Sequence, residues 1–133
     1  MELSQCCIDA IPAAARRSGP HPAKRTFQAI RIEVNGELEG LGQAVTDFID
    51  LLEPGGILCV ITFHSLEDRA VKQAMQTAEN PCTCPANFPV CVCGKTPLGR
   101  RDPRKPIEPS AAEIEMNPRA RSANLRVFRA VDA

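Results

Sequence analysis

The sequence predicts an α/β fold organised around a buried strand of a doubly wound sheet, and three observations point to it. The run Ile57-Leu58-Cys59-Val60-Ile61-Thr62-Phe63 is continuously apolar and β-branched, as a strand of a parallel sheet covered on both faces reads. A helical apolar period leads into it through Pro54-Gly55-Gly56, and a second helical segment leaves it after the polar tip His64-Ser65. Helix, turn, strand, polar tip and helix is the order in which such a sheet delivers residues to its carboxyl edge, where ligands bind. The 133 residues, 44% apolar and 24% charged, are of one-domain size and allow a modest core.

The elements follow in order. Leu3, Cys7, Ala10 and Ile11 fall at helical spacing, and Pro12 with the turn at residues 16–20 stops that short helix. Pro22 suits a first helical turn, and Ala23, Phe27, Ile30 and Val34 then form one narrow apolar stripe, flanked by Lys24, Gln28 and Arg31. Asn35 is expected to cap the next helix, in which Leu38, Leu41, Val45, Phe48, Ile49 and Leu52 recur at steps of three and four. After the strand, Ser65-Leu66-Glu67-Asp68 reads as a variant capping box for a helix carrying Leu66, Ala70, Val71, Ala74 and Met75. Residues 80–109 are rich in Pro and Cys and show no period, so a loop or a small stapled excursion is expected. The segment 123–131 is the last strand candidate, entered through an Asn117-Pro118-Arg119 turn.

Sixteen basic and sixteen acidic residues cancel to zero net charge, which excludes a wholly basic nucleic-acid binder. The cancellation is one of blocks. Residues 16–31 hold Arg16, Arg17, Lys24, Arg25 and Arg31 without an acid, whereas residues 33–53 hold only acids; two further basic stretches lie at 95–105 and 119–129. Basic blocks sharing a face can track a phosphate backbone, and solvated faces explain them equally. The longest apolar run, Ile57–Ile61, is strand-sized and far short of the roughly 18 residues of a membrane span, and residues 1–10 lack the pattern of a secretory signal. A cytoplasmic setting without a membrane partner is expected.

In that setting the seven cysteines read as thiols or metal ligands before disulfides. Cys82, Cys84, Cys91 and Cys93 form two C-x-C pairs inside the Pro-rich stretch, a donor set suited to tetrahedral zinc. Free or redox-active thiols, or a disulfide, are the competing explanations. Cys6, Cys7 and Cys59 read as ordinary core or surface thiols.

Four stretches then carry a resemblance. HPAKRTFQAIRIEVNGEL (residues 21–38), LLEPGGILCVITFHSLEDRAVK (51–72), KPIEPS (105–110) and NPRARSANLRV (117–127) resemble the bacterial MraW family of small-subunit ribosomal RNA methyltransferases, in order and spacing across nearly the whole chain. The resemblance implies a class I S-adenosylmethionine-dependent, Rossmann-like fold that methylates the exocyclic N4 of a cytidine in the decoding region of 16S ribosomal RNA. The family's glycine loop and ribose-binding acid precede the part that matches, and this sequence has no G-x-G-x-x-G. The expectation is therefore the carboxyl-terminal half of such an enzyme, with no cofactor-binding residue of its own.

In that mapping residues 1–34 end the family's helical substrate-binding insert. Residues 35–79 are the helix, strand five and following helix of the core, 80–104 a Pro/Cys-rich loop, and 105–133 the last two strands, giving strands five to seven of a partial sheet. Strand five would lack one neighbour, so a sticky free edge is expected, along with poor solubility or need of a partner such as the missing amino-terminal half. His64 and Ser65, at the strand tip, are the substrate-positioning candidates; a helix cap is the plainer role for Ser65, and Asp68 with Arg69 would make a structural pair. Lys24, Arg25 and Arg31, then Arg119, Arg121 and Arg126, are the candidates for RNA phosphate contacts. A noncatalytic RNA-binding or zinc-stapled module and one half of a split enzyme are the alternative functions.

Overall fold

A computed structural model describes residues 2–17 and 19–132; Ser18, at the centre of the expected turn after the first helix, lies outside the described residues. The chain divides into two units, Met1–Glu37 and Leu38–Ala133.

In the first unit, α1 spans Leu3–Ala10 and is followed by a 3-10 turn at Ala13–Arg16 and by α2, Lys24–Asn35. Helix α2 ends in a left-handed Gly36 (φ 60°), with the Glu37 N–H donating back to the Ile32 carbonyl at 3.1 Å. Asn35 is thus the last residue of α2 and does not cap the following helix, as its side-chain chemistry had suggested; the glycine beside it sets the boundary. Of the expected stripe only Ala23 is buried, while Phe27, Ile30 and Val34 remain 49%, 43% and 77% exposed.

The second unit opens with α3, Leu41–Asp50, entered through Gly40 in the left-handed region. The Pro54-Gly55-Gly56 turn leads to β1, Ile57–Thr62, and α4 follows over Ser65–Glu79. The remaining elements are β2 (Gly99–Arg101), α5 (Ala111–Met116), a 3-10 turn at Pro118–Ser122 and β3 (Asn124–Ala130). The sheet order is β1-β3-β2, with β3 antiparallel to both neighbours; its register sets Leu58 opposite Phe128 and Thr62 opposite Asn124. Val45 and Ile49 of α3, Val71, Met75 and Ala78 of α4, and Phe128 of β3 form the core, with Leu58 and Val60 packed against it. Complete burial of Phe128, Met75 and Val71 stabilises this unit by about 2 kcal/mol each.

Three expectations change here. The strand 57–63 was expected to run in a parallel sheet covered on both faces, with one neighbour missing and so one edge left free. Among the described residues β1 does lie at an edge of the sheet, but its partner β3 runs antiparallel to it and it buries one face only: Leu58, Val60 and Thr62 turn toward the helices, while Ile57, Cys59 and Ile61 are exposed. Both faces are apolar in sequence, so the alternation that would reveal a one-sided strand is invisible. Second, a strand lies inside the stretch expected to be loop. Gly99-Arg100-Arg101 has no apolar pattern because it forms only the far edge of the sheet, and Gly99 is buried against the Phe128 ring and the Arg129 carbonyl, where no side chain fits. Third, α5 forms at the end of the irregular region, with the Ser110 hydroxyl accepting the Glu113 N–H at 3.2 Å. No helix among the described residues is long and apolar enough to cross a membrane.

Candidate functional site

The carboxyl end of β1 is built by a capping box that sits one residue earlier than the sequence suggests. His64 is the N-cap of α4: its Nδ1 accepts the Glu67 N–H at 3.3 Å, while Glu67 Oε2 accepts the His64 N–H at 3.2 Å and the Phe63 N–H at 3.0 Å. Accepting at Nδ1 fixes the tautomer there, and Nε2 lies 3.2 Å from Glu67 Oε1. Ser65 is consequently the first helical residue, exposed, with no hydrogen bond from its hydroxyl among the described residues. Capping, the plainer explanation of this serine, belongs to its neighbour. Its hydroxyl stands at the positive end of a fifteen-residue helix.

Beneath this tip Arg126 of β3 reaches α4. Its Nε and Nη2 donate to the two carboxylate oxygens of Asp68 at 2.6 and 2.8 Å, a forked pair in which Arg126 is 6% exposed. Hydrogen bonding from Arg126 holds the Asp68 carboxyl below the usual range; burial opposes this, and the charges of Arg126 and Lys72 add to it. Asp68 was expected to pair with Arg69, which is exposed; the true partner is far away in sequence. Arg126, grouped by sequence with the RNA-contact candidates, faces inward on the same side of β3 as Phe128 and Ala130. Its alternation with those two residues is the signal that would have found this. Arg101 is likewise engaged internally, at 2.6 Å from Glu79 in a pair about one-tenth exposed.

The other basic candidates are exposed. Lys24 and Arg25 begin α2, and Arg31 is held in a fork by Glu37 at 2.8 and 3.0 Å within the same unit. Arg119 and Arg121 lie on the 3-10 turn that enters β3. Because Asn124 pairs with Thr62, that turn stands at the same end of the sheet as His64 and Ser65. Arg121, Ser122, Asn124 and Glu108 line a cavity of about 270 Å³ there.

The four cysteines converge. Cys91 Sγ lies 3.4 Å from Cys82, 3.8 Å from Cys84 and 3.3 Å from Cys93, Cys82 and Cys93 are 3.8 Å apart, and all four sulfurs lie within 4.8 Å of one another. Backbone N–H groups of Lys95 and Thr83 donate to Cys93 and pull its thiol down to about 6. The Cys93 N–H favours a thiolate at Cys91, but the three neighbouring thiols outweigh it and push Cys91 up to about 12.

Gly55 and Gly56 do not form a nucleotide cradle. Gly55 donates its N–H to the Val131 carbonyl and Gly56 to the Glu53 carbonyl, at 3.0 and 2.8 Å, so both amides are engaged in the turn before β1. A phosphate or cofactor cradle needs free amides after a strand, at a helix start. Gly55 and Gly56 therefore do not fit the role of a cofactor loop, and no step of S-adenosylmethionine chemistry is assigned to them.

A family model described as the MraW methylase family matches residues 1–131. The chain is 59% identical over 130 residues to the ribosomal RNA small subunit methyltransferase H of Acetivibrio thermocellus, covering 98% of this chain and 42% of that protein. It is 59% identical over 122 residues to the protein of that name from Ruminiclostridium cellulolyticum, covering 92% and 39%. It is 56% identical over 131 residues to ribosomal RNA small subunit methyltransferase H 2 of Agathobacter rectalis, covering 98% and 42%. The chain thus spans about 40% of the length of these relatives, matching their carboxyl-terminal part.

Proposed function

The chain belongs to the MraW methylase family, and from that premise we propose that it forms the carboxyl-terminal part of a methyltransferase acting on small-subunit ribosomal RNA. The match over residues 1–131 carries this reading, and the names of the three relatives support it. The reaction we infer is S-adenosylmethionine-dependent methylation of a cytidine N4 in 16S ribosomal RNA, carried out in the cytoplasm. The cofactor supplies the methyl group; its cradle belongs, on this reading, to sequence that the relatives have and this chain does not span.

The sheet topology supports a partial Rossmann-like arrangement. β1 and β2 flank the antiparallel β3 and so run in the same direction, and the connection between them passes through α4, as a crossover between parallel strands of an α/β sheet does. In this reading residues 1–34 end a substrate-binding insert, and residues 35–79 and 105–133, together with β2, belong to the catalytic core.

The residues of this chain bind and orient the substrate. An exocyclic amine becomes accessible only when its base leaves the stack. Ser65 offers the flipped base a hydroxyl that donates and accepts, and His64 holds the turn on which Ser65 sits. Lys24, Arg25, Arg31, Arg119 and Arg121 contact RNA phosphates; Arg126 stiffens the floor of the site through Asp68.

The test uses a complete enzyme of the family carrying this segment, with methyl transfer to small-subunit RNA as readout. Ser65→Ala should slow transfer by about 10-fold to 100-fold with RNA affinity nearly unchanged, as misplacement of a reacting group does. Lys24→Ala and Arg25→Ala should each lower the salt slope of binding by about 0.7 to 0.9. Unchanged slopes and rates would remove these roles, and a complete enzyme that leaves small-subunit RNA unmethylated would overturn the function.

A further inference from the structure

We propose that Cys82, Cys84, Cys91 and Cys93 hold one zinc ion in a closed four-thiolate site that fixes the shape of the excursion between α4 and β2. The argument begins with spacing. Four sulfurs at about 2.3 Å from a tetrahedral zinc stand about 3.8 Å from one another. Four of the six sulfur–sulfur separations run from 3.3 to 3.8 Å and none exceeds 4.8 Å, so the sulfurs already enclose a space of the size of one ion. A cluster with two irons would hold its cysteine pairs farther apart than this.

The second observation is the absence of any other force that would bring them together. The excursion leaves α4 after Glu79 and returns at Gly99, its end tied by the Leu98 N–H to the Ala78 carbonyl at 3.0 Å. Between residues 81 and 98 no residue is buried, and Phe88, Val90 and Val92 point their apolar side chains to solvent. A stretch of this length without a core does not offset the conformational entropy of a fixed shape. Metal ligation does, as it does for other small domains that lack a core.

Third, the backbone turns a donor toward one of the sulfurs. The Val92 N–H donates to Cys84 Sγ at 3.4 Å. Amides aimed at sulfur stabilise thiolate and orient ligands around a metal. On binding, each thiol yields its proton to solvent and its sulfur lone pair to the ion. Four protein donors leave no open position, so the site is structural and carries no reaction of its own.

The chain, expressed without added metal and purified under reducing conditions, should contain one zinc per molecule by elemental analysis. Cys84→Ser combined with Cys93→Ser should lower that by at least about tenfold, whereas Cys6→Ser, Cys7→Ser and Cys59→Ser should leave it unchanged. Should the double variant misfold, the unsubstituted chain still decides: chelation should shift amide resonances of residues 81–98 and spare those of α3 and β3, and cobalt should then give the intense visible bands of a tetrahedral thiolate site. Iron in place of zinc, no stoichiometric metal in the folded reduced chain, or loss of paired thiols to a disulfide in the freshly reduced protein would each overturn the proposal.

Discussion

At the tip of β1 a single shift in register redistributes the roles of neighbouring side chains. His64 makes the cap, and Ser65 is left with an open hydroxyl. His64→Ala should therefore lower the unfolding free energy by about 1 kcal/mol, and Ser65→Ala by no more than about 0.5, read from urea midpoints at constant slope; the reverse order would return the cap to Ser65. Asp68 carries a different signature. Its folded carboxyl titrates below the ordinary value because Arg126 stabilises the charged form, so the pair contributes fully above that ordinary value and loses its contribution as pH falls through the depressed one. Asp68→Asn should cost about 3 kcal/mol at neutral pH, toward the low end for a broken buried pair because Asp68 keeps one-fifth of its side-chain exposure. It should also flatten the acid limb of the stability profile, and an unchanged acid limb would exclude this pair as its source. The box was half legible: serine is a frequent cap, whereas a histidine cap is recognised only when the strand's end is known. The Arg126 partner was not legible, because 58 residues separate it from Asp68.

Elements behaved according to how much of their signal was local. Helices α3 and α4 announce themselves by period, and β1 by its apolar run, whereas β2 carries no pattern and exists because β3 offers it a free edge. Gly99 is where that edge strand depends on one residue. A methyl group at Gly99 meets the Arg129 carbonyl and the Phe128 ring, so Gly99→Ala should destabilise the second unit by more than about 2 kcal/mol. Gly42, at the start of α3, has nothing within 4 Å of the corresponding position, and Gly42→Ala should stabilise by about 0.5 kcal/mol through helix propensity. Thermal unfolding of the two variants side by side checks both signs, and equal effects would refute the packing account of Gly99.

At the scale of the chain, one face of the sheet is finished and the other is open. Ile57 and Ile61 are 49% and 59% exposed on an edge strand, a combination that invites association. Replacing both with lysine should shift the chain toward monomer in sedimentation velocity, and an unchanged distribution would clear this face of blame. Residue order by itself determined the family, the main helices, the strand at the site and the pairing of the four cysteines into two C-x-C steps, because each depends on side chains a few residues apart. Only the tertiary structure decided which arginines face solvent and which lie inside, that β1 pairs with a reversed neighbour, and that four sulfurs meet. Those outcomes depend on where the chain returns after tens of residues, and no local pattern of apolar and charged side chains specifies that return.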